Sequence, residues 1–418
     1  MKVFKFGGAS VNSVERIKNL AVLMQQFTNE KLIIIISAMG KTTNALEKVA
    51  EAFYNENKEE TLQLFNAVKE QHNQIAEELL GTKKDKCISQ LSDFFTEVEW
   101  LLHDKPVREF DYYYDQIVCC GELLSTCIIS YYLNESEIKN KWIDVRDVIR
   151  TDNNFRDAGI DWERTKSAID QLQSSSQNNI TITQGFIGAT DENESTTLGR
   201  EGSDYTAAVF ANILNAQSVT IWKDVEGVMN ADPKIFPDAK VIKELSFDEV
   251  IEMAFYGAQV IHPKTIKPLQ NKGIPLLVKC FLNPAAEGTI IHKNHIKNLP
   301  PIIVIKQKQA LLHLESKDYS FVGEKLMAEL YKTFSLLKIK PNIIQTGAIN
   351  VQLCLDDQKE KTEKFAGAVS ETFDVQVEKD LSLLTIRHYN EKIMNEMLVA
   401  KDVVLLQKTK ETMQAVYR

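Results

Sequence analysis

Residues Leu32 to Ile36 read LIIII, an unbroken apolar run rich in β-branched side chains between Lys31 and Ser37. Such side chains are stiff at χ1 and favour extended backbone, and here nothing polar alternates with them. A strand of this kind needs cover on both faces, which is the environment of an inner strand in a parallel sheet. The residues before it agree. Val3 to Phe6 forms a short strand, Gly7 and Gly8 break it, and Ser13 caps a helix in which Ile17, Leu20, Ala21, Met24 and Phe27 keep helical spacing. Strand, turn, helix, strand opens an α/β sheet, and open α/β sheets bind ligands at the C-terminal ends of their strands.

Chemistry is concentrated at those ends. Lys5 stands beside the Gly7-Gly8 turn, where its ammonium can reach β- and γ-phosphate oxygens while glycine amides cradle the same group. Gly40-Lys41-Thr42 is not a Walker loop, because Ile35 occupies the position where that motif needs glycine. Thr196 to Tyr205 reads TTLGREGSDY between a strand (Ile180 to Phe186) and a helix (Ser203 to Leu214). Gly199 and Gly202 admit an anion close to the backbone, Arg200 adds a fixed cation, and Thr196 and Thr197 offer hydroxyls. Ser203 is expected as the N-cap, with Asp204 beside it to hold a metal ion or orient a donor. A Gly-x-x-Gly alone would describe an ordinary turn. Ten residues of this mix point to phosphate.

Residues 45 to 133 are helical by pattern and read as an insertion; His72 and His103 have no metal-ligand spacing and are expected on the surface. Glu122 follows Gly121 at the start of an apolar helix, where it either balances the helix dipole or binds a substrate ammonium from a buried position. Gln217 to Trp222 is a further strand, followed by Asp224, placed to contact a nucleotide. Ser246 to Glu249 forms a capping box for a helix ending at Gly257, and His262 reads as a packed or capping histidine for the helix that stops at Gly273.

At 418 residues, two or three domains are expected. A net charge of −9 argues against a nucleic-acid or anionic-membrane surface. Six cysteines without a CxxC pair read as reduced thiols of a cytoplasmic protein, and MKVFKFGG goes straight into a strand, with no sign of a signal peptide. No apolar run is long enough to suggest a bilayer span. Leu299-Pro300-Pro301 marks a boundary. Beyond it the chain alternates strands (310–315, 342–346, 349–355, 381–387, 403–407) with helices (322–337, 360–373).

These pieces, in this order, resemble the aspartate kinases within the amino-acid kinase family. The matching stretches are Lys5 to Ser10, Ser37-Ala38-Met39 with Thr43-Asn44, Gly121-Glu122, Gly185 to Gly188, Thr196 to Asp204, Asp224-Val225 with Gly227 and Ala231-Asp232-Pro233, and His262 to Thr265. They cover about residues 1 to 290. The resemblance implies a three-layer α/β/α kinase domain with a mainly parallel sheet over 1–298, followed over 299–418 by α+β regulatory modules of the ACT type, the second of them short. It implies transfer of a phosphoryl group from ATP, with Mg2+, to the side-chain carboxylate of L-aspartate, the first step toward lysine, threonine and methionine. On that basis Lys5 and Asp204 are catalytic. Ser37, Thr43, Glu122, Phe186, Arg200 and Ser203 bind aspartate, Glu122 its ammonium and Arg200 a carboxylate. Lys5, Gly7, Gly8, Ser10, Asp224, Gly227, Lys234 and Lys264 serve ATP, and no residues are assigned as metal ligands.

The tail then implies a homodimer and an amino-acid effector, lysine or threonine, near Asn342, Gln345 and Thr346, with dimerisation alone as the simpler role. No homoserine dehydrogenase segment follows, so a monofunctional enzyme is expected. Glu201, Lys223, Met229 and Gln259 depart from the pattern, respectively from a glycine, a threonine, a tyrosine and a lysine. A carboxylate at 201 must point away from phosphates or meet a cation. The alternatives are a kinase of the same fold with another acceptor, and a non-catalytic amino-acid sensor.

Overall fold

The computed structural model describes residues 1–175 and 179–418. They form two compact units: Met1–Val228 with Val241–Ile251 and Val260–Ile296, and Lys297–Arg418 with Met229–Lys240 and Glu252–Gln259.

The first unit runs β1 (Lys2–Phe6), α1 (Val14–Gln25), β2 (Leu32–Ile36), five helices α2 (Thr42–Tyr54), α3 (Lys58–Leu79), α4 (Lys84–His103), α5 (Phe110–Val118) and α6 (Cys120–Glu135), then β3 (Asn140–Trp142), α7 (Trp162–Ser175) and β4 (Ile180–Gln184). A two-stranded hairpin follows, β5 (Ile187–Ala189) with β6 (Ser195–Thr197), then α8 (Gly202–Ile213), β7 (Val219–Lys223), β8 (Glu244–Ser246), α9 (Phe247–Phe255), α10 (Pro263–Lys272), β9 (Leu276–Cys280) and β10 (Thr289–His292). Eight strands make one sheet in the order β3-β4-β2-β1-β7-β9-β10-β8. Every pairing in it is parallel except β9 with β10. All five side chains of β2 and of β4 are buried, so both faces of the sheet centre are covered, as the apolar run requires. α6 packs on β2, β3 and β4, and α8 on β1, β2 and β7.

The expected helical insertion is α2 to α6. Phe110–Glu135 is apolar and long enough to cross a membrane by composition, yet 83% of its most apolar window is buried inside the fold. It is a core element. His72 is not on the surface as its polarity suggested. It lies fully buried on the α3 stripe formed with Phe65, Val68, Ala76 and Leu79, with Nδ1 2.7 Å from the Val68 carbonyl. Burial lowers its pKa and keeps the ring neutral. Ser13 caps α1 as expected, and His262 caps α10 by accepting from the Lys264 N–H.

The second unit holds β11 (Ile302–Ser316), α11 (Glu324–Leu337), β12 (Ile343–Thr346), β13 (Asn350–Asp356), α12 (Lys359–Val369), β14 (Phe373–Arg387), α13 (Glu391–Leu398), β15 (Val403–Lys408) and β16 (Thr412–Tyr417). They build an antiparallel sheet ordered β12-β13-β11-β14-β16-β15. β11 and β14 are longer than the sequence patterns indicated. Each runs through both halves of the sheet, with register shifts between Lys306 and Leu311 and positive φ at Lys308 and Asp380. One half is a βαββαβ unit of the ACT type over α11 and α12, with Phe334 and Phe365 stacked 5.0 Å apart in its core. The other half explains why its module looked short. Its outer strand is the first third of β11, where Ile302–Lys306 pairs with Arg387–Leu383. The residue 360–373 helix stops at Val369, because β14 already begins at Phe373; α13 and β16 were not anticipated.

Candidate active site

Registry brings four chain segments to one edge of the parallel sheet. Phe6 lies opposite Ile36 and Trp222, and Ile36 opposite Gln184, so Lys5, Ser37, Phe186 and Lys223 all sit at strand C-terminal ends. A cavity of about 500 Å³ opens there. The eight residues assigned from the sequence to catalysis or aspartate binding line it together: Lys5, Ser37, Thr43, Glu122, Phe186, Arg200, Ser203 and Asp204. Tyr114, Arg156, Thr197, Glu201 and Lys223 also line it.

Glycines make close approaches that build this edge, Gly8 and Gly121 among them. A Cβ at Gly8 would stand 2.6 Å from the Ala38 carbonyl oxygen, so only glycine lets the turn after β1 abut the loop after β2. A Cβ at Gly121 would meet Ala38, Leu46 and Thr42 at 3.1–3.2 Å. α6 therefore packs directly on that loop, and its next residue, Glu122, accepts the Ala38 N–H at 3.3 Å through Oε1. Glu122 is 2% exposed, and its Oε2 is buried with no hydrogen-bond partner among the described residues. Burial pushes its pKa up to about 8, against the smaller opposing effect of the backbone donors. A buried carboxyl oxygen without a donor, on a cavity wall, is complementary to a cation.

Lys5 and Asp204 form an ion pair at 2.7 Å, with side chains 12% and 4% exposed. Asp204 lies in the first turn of α8, where the helix dipole favours a negative charge. The cap of α8 differs from expectation. Glu201, not Ser203, is the N-cap, in left-handed conformation (φ 55°), and its carboxylate Oε2 accepts the His262 N–H at 2.7 Å. A glycine is easily accommodated at such a φ, and a glutamate there needs the anchoring that His262 supplies. The carboxylate meets a backbone donor rather than a cation. Ser203 lies one residue into the helix, its hydroxyl 3.0 Å from that of Ser37. α8 is also buried nearly all round.

Thr196 and Thr197 are strand residues whose hydroxyls serve the fold. Thr196 Oγ1 lies 2.7 Å from Thr151 Oγ1, and Thr197 donates to Asp115 Oδ1 at 2.7 Å. Asp115, on α5 and fully buried, escaped the sequence reading altogether. It also accepts the N–H groups of Thr197 (2.8 Å) and Arg156 (3.0 Å). Burial raises its pKa to about 6 despite these donors. Its three bonds hold Arg156 in a left-handed turn (φ 68°), with the guanidinium 4.3 Å from the Tyr114 ring centroid and 3.3 Å from Asp111. Asp115→Ala would orphan two buried N–H groups and a hydroxyl, and should destabilise the first unit by about 3 kcal/mol or more in urea unfolding. An unchanged midpoint would remove Asp115 from this role.

The other predicted nucleotide residues line no part of the cavity. Gly7 and Gly8 form the turn after β1, and Ser10 is buried with its hydroxyl 3.4 Å from the Trp222 carbonyl. Asp224 is exposed just beyond β7, and Gly227 is buried against Thr289 and Val241. Lys264 pairs with Asp157. Lys234 belongs to the second unit. So do Asn342, Gln345 and Thr346. Asn342 accepts from the Lys306 ammonium (2.8 Å) and donates to Gln309 (2.7 Å) and Asp356 (2.9 Å), while Gln345 and Thr346 are exposed on β12. Among the described residues, no group of three or more His, Cys, Asp or Glu is arranged to hold a metal ion.

Residues 1–280 match the model of the amino acid kinase family. The chain is 31% identical to lysine-sensitive aspartokinase 3 of Escherichia coli over 395 residues, 92% of this chain and 86% of that one. It is 34% identical to the chloroplastic aspartokinase 2 of Arabidopsis thaliana over 85% of its own length, and spans just under two thirds, 66%, of that relative. The crystal structure of E. coli aspartokinase III in complex with aspartate and ADP superposes with a TM-score of 0.82 at 27% identity, covering 100% of this chain and 96% of that one. The same enzyme in complex with lysine and aspartate gives 0.81 at 28%.

Proposed function

The chain belongs to the amino acid kinase family, among its aspartokinases, and from that premise we propose that it transfers the γ-phosphoryl group of ATP to the side-chain carboxylate of L-aspartate. The observation that carries the choice of acceptor is Glu122: a buried carboxyl oxygen without a donor, facing a cavity that also holds Arg200. An amino acid with a second carboxylate fits that pair. Its ammonium meets Glu122 and its α-carboxylate meets Arg200, an exposed guanidinium that makes no ion pair among the described residues. The side-chain carboxylate then points toward Lys5.

The reaction needs no general base, because the acceptor carboxylate is ionised at neutral pH. One of its oxygens forms a bond to the γ-phosphorus as the bond to the β,γ-bridging oxygen breaks, and ADP leaves with that electron pair. Lys5 neutralises charge on the transferring group, and Asp204 holds the Lys5 ammonium in place. Ser37 and Ser203 border the path with paired hydroxyls. Mg2+ would arrive with ATP and take most of its oxygen ligands from phosphate and water. Asp204 lines the cavity with its Oδ1 taken by the Lys5 ammonium, so it would hold the ion only through its other carboxylate oxygen. When bound, the ion adds charge neutralisation at the phosphates.

The second unit serves in this reading as a homodimerisation and regulatory module, with lysine or threonine as effectors, at a branch leading to lysine, threonine and methionine. Six buried, unpaired cysteines support a reducing, cytoplasmic setting. The test of the acceptor is ADP release with MgATP and L-aspartate, L-glutamate or N-acetyl-L-aspartate. Only L-aspartate should support rapid release, and equal rates with the N-acetyl compound would contradict recognition of the ammonium. Arg200→Ala should raise the half-saturating aspartate concentration about ten- to a hundredfold with little change for ATP. An effect confined to ATP would move Arg200 to the nucleotide.

A further inference from the structure

The cavity has a second lysine. β1 and β7 pair with Lys5 opposite Ile221, and side chains two apart on a strand share a face. Lys5, Ile221 and Lys223 therefore project from the same face, with Lys223 about 7 Å further toward the ligand-binding edge. Lys223 is half-buried, lines the cavity with Lys5, and donates to the Val260 carbonyl at 2.8 Å.

That carbonyl is neutral, and this separates Lys223 from Lys5 and Arg156; Arg200, assigned above to the α-carboxylate of the amino acid, is the other cavity cation without an ion pair among the described residues. Lys5 is balanced by Asp204, and Arg156 by Asp111 and Glu47. The Glu201 carboxylate is taken up by the His262 N–H. Lys223 has no carboxylate within ion-pair distance among the described residues, so it adds an uncompensated charge to the cavity wall. Sheet order says which anion it faces. Glu122 reaches the loop after β2, on one side of β1, whereas Lys223 ends β7 on the other side. The amino acid belongs to the β2 side. The anion on the β1–β7 side is then the polyphosphate.

We propose that Lys223 binds the β- and γ-phosphate oxygens of ATP together with Lys5, as a second phosphate-neutralising cation. This rests on the kinase reading above. An ammonium has three donors, and the Val260 carbonyl uses one of them, which both aims the side chain and leaves two for phosphate. The exposed Asp224, next in the chain, lies at the same strand end.

The experiment is titration calorimetry of the full chain with MgATP and with adenosine, for the wild type, Lys223→Met and Lys223→Arg. Thermal melting serves as the folding control. Lys223→Met should weaken ATP binding about ten- to a hundredfold, leave adenosine unchanged, and leave half-saturation by aspartate unchanged. Lys223→Arg should keep most of the ATP affinity, and it carries the test if the methionine variant does not fold. Equal weakening of ATP and adenosine, or no weakening of either, would overturn the assignment. Binding is read without turnover. A wild type that binds ATP but does not phosphorylate aspartate would sink the proposed activity while the ATP-to-adenosine comparison still decides Lys223; one that does not bind ATP overturns both.

Discussion

Glu122→Gln is expected to raise the half-saturating concentration of aspartate by at least about a hundredfold and, at the same time, to make the substrate-free protein more stable at alkaline pH. The first effect follows from removing one partner of a buried charge pair, a loss on the order of 3–5 kcal/mol. The second follows from linkage. Burial raises the pKa of Glu122 from the ordinary carboxyl range to about 8. Between about pH 4.5 and 8 the unfolded chain has released this proton and the folded chain has kept it, so stability falls as pH rises through that window and is flat above it. Glutamine has no proton to lose, and the variant should gain on the wild type by up to a few kcal/mol at pH 8–9, with the difference vanishing near pH 4.5.

The same carboxyl makes aspartate binding pH-dependent. An ammonium can pair only with the ionised form, so binding below pH 8 must expel the Glu122 proton. Apparent affinity should rise about tenfold per pH unit from pH 6 toward 8. Calorimetry in buffers of different ionisation enthalpy reads the proton release directly. If Glu122→Gln binds aspartate normally and melts like the wild type at pH 9, Glu122 is a structural residue.

Lys5→Met is expected to lower kcat by about 10²–10³-fold while changing half-saturation by aspartate only a few-fold. Charge on the phosphoryl group is most exposed in transit between two oxygens, so the Lys5 ammonium contributes most in the transition state. The variant also leaves Asp204 buried without its cation, which adds a stability cost seen in thermal melting. The Asp204→Asn, Lys5→Met pair removes both charges. Its stability should recover while turnover stays low. Turnover restored along with stability would mean that Lys5 acts on the fold alone.

Where a signal was local, the sequence reported it. Four isoleucines in a row after Leu32 require cover on both faces whatever else the chain does, and β2 has it. Gly121 next to Glu122 marked a helix start that packs closely on its neighbours, with a carboxyl carried in beside it. Signals failed where partners are distant in sequence. Thr197 read as a free hydroxyl because its acceptor, Asp115, stands 82 residues away on α5. Arg156 came from a stretch without periodicity, and only the Asp115 carboxylate explains its left-handed backbone. His72 was recoverable, since it falls on the buried stripe of α3 with Val68 and Ala76, but its polarity outweighed its position. Glu201 shows the reverse case. It was noticed as a charge in the wrong place, while its physical demand is a positive φ and an anchor for its carboxylate. In the second unit, β11 and β14 each join two halves of a sheet through a bulge. Long-range pairing decides their length, and no local pattern could.

The central claim is phosphoryl transfer to a carboxylate, and hydroxylamine trapping of the acyl phosphate tests it most directly. Purified full-length protein with MgATP and L-aspartate should yield aspartyl hydroxamate, with little from L-glutamate, and none without ATP. Added lysine or threonine in the same assay would reveal an effector acting through the second unit. Absence of hydroxamate from protein that still binds ATP and aspartate would contradict the catalytic account and leave an amino-acid-sensing role for the same pocket.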